Sequence, residues 1–358
     1  MPLNCLLIAH VNQHKLTLKP ATYGDQEVNR EQILKMPPWR TNPQGKTRRV
    51  GIELEMSALS LDQLSAIVAN FLDLQINSDG RYARILRGDE AGDWIVEIDF
   101  NLLKKMGRKI HDSDTFEGGL ESSVEEVIAW AAEGVVPLEI VSPPLPLDRL
   151  PQVEDLIAEL RTKGAKGTSD HIVNAFGMQL NPEIPAEDPA IITAILKAFL
   201  CCYDWIIERV AVDLTRRITS YVDPFPGAYI RKVVNPDYNP DMAGLIDDYL
   251  YHNPTRNRAL DLLPLFLHLD EKRVRSVTAD ELIKARPAFH YRLPNCDIHK
   301  PDWGLYLSWN DWVRIEDLAA DTDRLNACCK RFRKLQRNPL RRWFGNWRKE
   351  LDTRWLAS

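Results

Sequence analysis

No apolar run in this 358-residue sequence approaches the roughly 20 residues that a membrane-crossing helix needs, so no membrane partner is expected. Neither Gly-x-Gly-x-x-Gly nor Gly-x-x-x-x-Gly-Lys-Ser/Thr occurs, which excludes a nucleotide site built on a Rossmann fingerprint or a P-loop. His-Glu-x-x-His is missing, and with it the helix-borne zinc site of many hydrolases. Cys-x-x-Cys is missing too. The six cysteines are Cys5, Cys201, Cys202, Cys296, Cys328 and Cys329. On a helix the two adjacent pairs would point about 100° apart, too far to chelate one ion together. The short apolar start, residues 1–8, has no basic leader and does not read as a signal peptide. Reduced, buried thiols in a cytoplasmic protein are therefore expected. Internal repeats and low-complexity segments are also absent.

Hydrophobic residues make up 44% of the chain, enough for a sizeable core. The net charge of −5 is unevenly spread: from Arg324 onward there are eleven Lys/Arg against two Asp/Glu. Residues 330–347 interleave those cations with Phe332, Trp343, Phe344 and Trp347. Such a surface suits an acidic partner, nucleic acid, a second subunit or the chain's own acidic body.

Residues 1–46 read as a lead-in, with Pro20 and Pro37-Pro38-Trp39. Segments 48–56 and 93–100 alternate apolar and charged residues, the period of a half-buried strand. Segments 135–141, 171–181 and 289–293 read as further strands, closed by Pro143, Pro182 and Pro294, because proline cannot donate to a ladder. Helical spacing runs through 61–74, 122–132, 189–218 and 241–251, and through a segment from Asp148 or Pro151 to 163. The stretch 104–121 is polar and loop-like. This order predicts an α+β fold, with a body over 47–315 between the lead-in and a basic helical tail at 316–358.

Glu53 and Glu55 stand two apart on the first strand, so they share one face about 7 Å apart. Two such carboxylates repel unless a cation lies beside them, and Mg²⁺ is a hard ion that takes oxygen ligands. A lone Glu-x-Glu reads as readily as a solvated acidic edge. Here it has company: Glu139 lies within an apolar strand, and the pairs Gln179/Asn181 and His290/Arg292 repeat the same-face spacing. Recurrence on several strands points to one sheet face lined with polar groups.

Val50-Gly-Ile-Glu-Leu-Glu-Met56 resembles the opening strand of the amidoligases, which belong to the carboxylate–amine ligase superfamily with glutamine synthetase and glutamate–cysteine ligase. Leu138-Glu-Ile-Val-Ser-Pro-Pro-Leu145 is similar to the family's second carboxylate strand, and Asp93-Trp-Ile-Val-Glu-Ile-Asp99 to the strand between them. Ala175-Phe-Gly-Met-Gln-Leu-Asn181 stands where the family has a histidine strand. Arg256-Asn-Arg-Ala-Leu260 and Phe289-His-Tyr-Arg-Leu293 resemble its later arginine segments. Two positions depart from the pattern: Gln179 replaces the first histidine, and His290 stands where the superfamily often has Glu.

The resemblance implies a glutamine-synthetase-like core with a curved, mostly antiparallel sheet packed by helices. It implies ATP-dependent formation of an amide (isopeptide-type) bond through an acyl phosphate, from a carboxylate-bearing small molecule or peptide and an amine donor. Mg²⁺, or Mn²⁺ in its place, would be held by Glu53, Glu55, Glu139 and Gln179. Gln179 and Arg292 would meet the nucleotide's phosphates, Arg258 would be a second arginine at the reacting group, and Asp99 or His290 would accept the amine's proton. The alternatives are a non-catalytic nucleotide- or peptide-binding relative and a metal-dependent hydrolase using the same carboxylates. Oligomerisation is left open.

Overall fold

A computed structural model describes residues 33–99, 137–167, 176–210, 223–336 and 347–357. The first strand, β1 (Arg49–Met56), sets its plan. Val50, Ile52, Leu54 and Met56 point to one side and are at most 2% exposed, while Arg49, Gly51, Glu53 and Glu55 alternate with them. That period-2 pattern forces one face of the sheet into the core and leaves the other polar.

Around β1 the remaining strands are β2 (Gln75–Asp79), β3 (Ala83–Arg87), β4 (Trp94–Ile98), β5 (Leu138–Val141), β6 (Leu145–Pro146), β7 (Met178–Pro182), β8 (Leu260–Asp261) and β9 (His290–Tyr291). Their order is β2-β3-β4-β5-β1-β7-β9-β8, with β6 also pairing β1, and every pairing is antiparallel. The α+β class expected from the sequence holds. The β2–β3 hairpin was not expected. Its turn opens at Gly80, with φ +71°, but its outer strand is polar and Ile76 is 46% exposed, so no alternation marks it.

The apolar face is covered by helices. These are α1 (Leu61–Leu72), α2 (Leu150–Thr162), α3 (Pro189–Arg209), α4 (Gly227–Val233), α5 (Met242–His252), α6 (Leu263–Leu269), α7 (Leu305–Ala320) and α8 (Thr322–Gln336). Ser60 starts α1 with a reciprocal capping box: its Oγ accepts from Gln63 N at 3.2 Å, and its own N donates to Gln63 Oε1 at 2.9 Å. Asp188 caps α3, with Pro189 in the first turn. By length and composition α3 is apolar enough to cross a membrane, yet 67% of that stretch is buried inside the fold. It is the core helix, packed along α7.

The segment ahead of β1 docks on α7. Asn310 Oδ1 accepts from Lys35 N at 2.8 Å, and Trp309 Nε1 donates to Lys35 O at 2.7 Å. The boundary expected at 315/316 falls inside α7, where Glu316 is fully buried. Helix α8 buries Leu325, Cys328, Cys329, Phe332 and Leu335 on its inner side. The five described cysteines are buried, with Cys201 Sγ 3.7 Å from Cys329 Sγ. The expected loop 104–121, helix 122–132, strand start 171–175, helix end 211–218, most of the lead-in with Cys5, and the basic stretch 337–346 lie outside the described residues.

One ion pair ties these parts together. Arg48, 1% exposed, forks onto Glu316 through Nη1–Oε2 at 2.7 Å and Nη2–Oε1 at 2.8 Å. The same guanidinium donates to the carbonyls of Trp39 and Glu183, and Trp312 Nε1 donates to Glu316 Oε1 at 2.7 Å. Removing one partner strands a buried charge. Arg48→Ala should therefore destabilise the protein by about 3–5 kcal/mol in equilibrium denaturation, whereas Arg48→Met with Glu316→Leu should recover most of that loss. A single-variant cost below about 1 kcal/mol would show that the pair behaves like a surface contact.

Candidate active site

The polar face of the sheet is assembled by register. Glu55 on β1 lies directly opposite Glu139 on β5, and Glu139 lies opposite Glu97 on β4. Three carboxylates from three adjacent strands thus form one line, with neighbouring Cβ atoms roughly 5 Å apart. Glu53, two residues before Glu55, faces Val141 on one side and Gln179 on the other. Asp99 follows β4 two residues after Glu97, its N donating to Pro137 O. Burial first, and then the charges of Glu53, Glu55, Asp99 and Glu97, push Glu139 well above the usual carboxylate range.

Two of these carboxylates are held in place. Glu55, only 6% exposed, accepts from Gly177 N at Oε2 (2.7 Å) and from Gln179 Nε2 at Oε1 (3.2 Å). Glu53 Oε1 accepts from Asn181 Nδ2 at 2.9 Å and from Arg286 Nη1 at 3.3 Å. Gln179 turns its other end to His290, whose Nε2 is 2.7 Å from Gln179 Oε1. An amide oxygen only accepts, so that nitrogen carries the imidazole proton. Nδ1 of His290 then faces Asp261 Oδ2 at 3.6 Å, beyond a hydrogen bond, and neither atom has another partner.

The far end of the face is basic. Arg292 follows His290 by two residues, with Nη1 donating to Arg256 O. Burial first, then Arg292, Arg286 and Arg256, hold His290 well below the usual imidazole value. Burial raises Asp261 to about 7, against the Leu263 N–H and the same three arginines. The face therefore runs from carboxylates on β4, β5 and β1 to guanidinium groups around β9.

Beside Glu53, at the Gly51 end of β1, lies a cleft of about 290 Å³ lined by Arg49, Gly51, Glu53, Asn181, Glu183 and Arg286 among others. Among the described residues no group of three or more His, Cys, Asp or Glu side chains stands in a metal-holding arrangement.

A family model described as "Putative amidoligase enzyme" matches residues 46–314. The chain belongs to the amidoligase family. No curated protein and no solved structure shows significant similarity to it.

Of the positions marked in the sequence of this amidoligase, the structure brings Glu53, Glu55, Glu139, Gln179, His290, Arg292 and Asp99 to one face. Arg258 is not among them. Its Nη1 donates to Pro224 O at 2.6 Å and its guanidinium lies 5.8 Å over the Phe225 ring, which packs on Phe199 of α3. Glu97, which shares the alternation of Asp99, and Asp261, whose strand is only two residues long, were not expected at the site. Nor was Arg286, which lies between Ala285 and Pro287 with no period to mark it.

The crowding of Glu139 has a testable sign. Its folded value is raised, so its contribution is fully present below the unfolded carboxylate value near 4.5 and is lost as pH rises through the folded value. Glu139→Gln should accordingly unfold at a higher temperature than the parent at pH 8 in chelator, and the gain should vanish below about pH 4.5. Equal melting curves at both pH values would remove the like-charge strain.

Proposed function

We propose that this amidoligase joins a carboxylate to an amine at the expense of ATP, through an acyl phosphate. The polarity of the face carries the reading: an acidic row stands beside a cluster of arginines, the charge pattern that complements a divalent ion bound to a polyphosphate. A carboxylate is inert to amines because oxide is a poor leaving group. Phosphorylation by the γ-phosphoryl group of ATP converts that oxygen into phosphate, which departs readily. Phosphoryl transfer needs positioning and charge neutralisation more than covalent help.

The donor set fits Mg²⁺: Glu53, Glu55 and Glu139 offer hard oxygens, Gln179 an amide, and the raised Glu139 is relieved by a nearby cation. Mg²⁺ commonly keeps waters and phosphate oxygens and takes only one or two protein carboxylates, so separated carboxylates suit it. When bound, it neutralises the charge on the phosphates. Arg292 pairs with the oxygens of the transferring group, since a planar fork meets two oxygens at once. Gln179 fixes Glu55 and His290 relative to one another. The neutral His290, with Asp261 beside its Nδ1, is one candidate to accept the proton that the amine releases. Asp99 is the second candidate acceptor, at the acidic end.

The experiment is ADP release and amide formation with Mg²⁺, ATP and a panel of acids and amines. Glu53→Gln and Glu55→Gln should each lower ATP-dependent amide formation by at least about 10²-fold, with the circular dichroism of the parent retained. Full activity in both variants refutes the metal assignment. ATP binding without ADP release across the panel favours a non-catalytic relative, and turnover without ATP a hydrolase.

A further inference from the structure

The polar side of β1 contains one position with no side chain. Gly51 lies opposite Asn181 in the β1–β7 register. Glycine weakens a strand interior and often marks a place where something approaches closely. Nothing in the fold demands it here. Gly51 is not among the positive-φ glycines, and a Cβ at 51 would come no nearer than 3.5 Å to Asn181 Cβ, an ordinary contact. What the missing side chain creates is the floor of the 290 Å³ cleft beside Glu53.

Two residues that line this cleft leave hydrogen-bonding atoms unmet behind its surface. Asn181 is 5% exposed; its Nδ2 is spent on Glu53, while its Oδ1 is buried without a partner. A buried acceptor of that kind costs stability until a donor reaches it. Arg286 uses Nη1 on Glu53, and its Nε is likewise buried without a partner. Arg49 stands exposed at the rim, and Glu183 Oε2 accepts from Arg49 N at 2.9 Å. One wall therefore requires a donor, and two guanidinium groups nearby suit a planar anion. A cleft of 290 Å³ lies at the small end of ligand pockets, which span roughly 300–1,000 Å³. It has room for a small amino acid and not for a nucleotide.

We infer that this cleft binds the amine substrate, and that the amine is a small zwitterionic amino acid. Its ammonium group faces Glu53, with Asn181 Oδ1 behind it, and its carboxylate faces Arg286 and Arg49. The inference rests on the ligase reading for the word substrate, but the binding site stands on the cleft alone. Gly51 then acts as a size filter: a side chain there fills the space while the carboxylates and the arginines of β9 stay as they are.

Binding separates the two claims. The twenty amino acids are screened by calorimetry against the full chain, with Mg²⁺ and a non-hydrolysable ATP analogue and again without them. At least one small amino acid should bind, while its N-acetyl derivative and its decarboxylated amine bind more than about tenfold more weakly. Gly51→Val should weaken that amino acid by more than about tenfold and leave binding of the ATP analogue unchanged. Gly51→Ala, whose Cβ has ordinary clearance, is the milder variant should valine impair folding, and it should raise the amine's KM without lowering kcat. Absence of amino-acid binding in both conditions overturns the inference, as does equal binding of the acetylated or decarboxylated form, or an unaffected Gly51→Val. Amino-acid binding that is sensitive to Gly51, without ATP-dependent amide formation, keeps the site and refutes the ligase.

Discussion

Like charges brought into line by strand register are the constraint on which this structure turns. Glu97, Glu139 and Glu55 are neighbours because β4, β5 and β1 pair as they do, and no side-chain rotation places them far apart. The register is in turn fixed by the other face: a slip of one residue would drive Ile52, Leu54 and Ile140 into water and the carboxylates into the core. Hydrophobic burial therefore holds in place an electrostatic arrangement that would otherwise disperse. Glu139 feels the result, pushed up by burial and by four neighbouring carboxylates.

The rigidity needed for this comes from elsewhere. Arg48 immediately precedes β1, and its pairing with Glu316 anchors the strand's start to α7 while also gripping the carbonyls of Trp39 and Glu183. Glu183 in turn bonds Arg49 N and follows β7 directly. The strand bearing Glu53 and Glu55, and the strand bearing Gln179 and Asn181, are thereby pinned at the same end. Buried ion pairs contribute little net stability compared with apolar packing. Their value here is geometric, since a fork-to-fork pair fixes one orientation.

Much of the fold was legible because burial imposes a period. The alternation in 48–56 gives β1, and helical spacing gives α1, α2 and α5 within two residues of their ends. The β2–β3 hairpin was not legible, since its exposed outer strand carries no apolar alternation. The site shows the same division. Glu53, Glu55, Gln179 and Arg292 announce themselves by spacing on strands. Arg286 and Asp261 come from a loop and a two-residue strand, where spacing carries no information and only tertiary contact brings them in. Arg258 was expected at the reacting group on its sequence neighbourhood alone. The irregular chain before β8 instead lays it on Phe225, where a guanidinium gains more from an aromatic face and a carbonyl than from a distant carboxylate.

Gln179 and His290 act as one unit. Gln179 presents a donor to Glu55 and an acceptor to His290, so it links them without carrying charge. The pair forms a hydrogen-bonded link between the acidic row and β9. A neutral His290 adds no charge beside Arg292, Arg286 and Arg256, where burial raises Asp261 to about 7. Arg286 and Arg256 are balanced from outside the link, by Glu53 and Asp280. The acidic and basic ends of the face are thus joined through neutral groups, so neither end cancels the charge of the other.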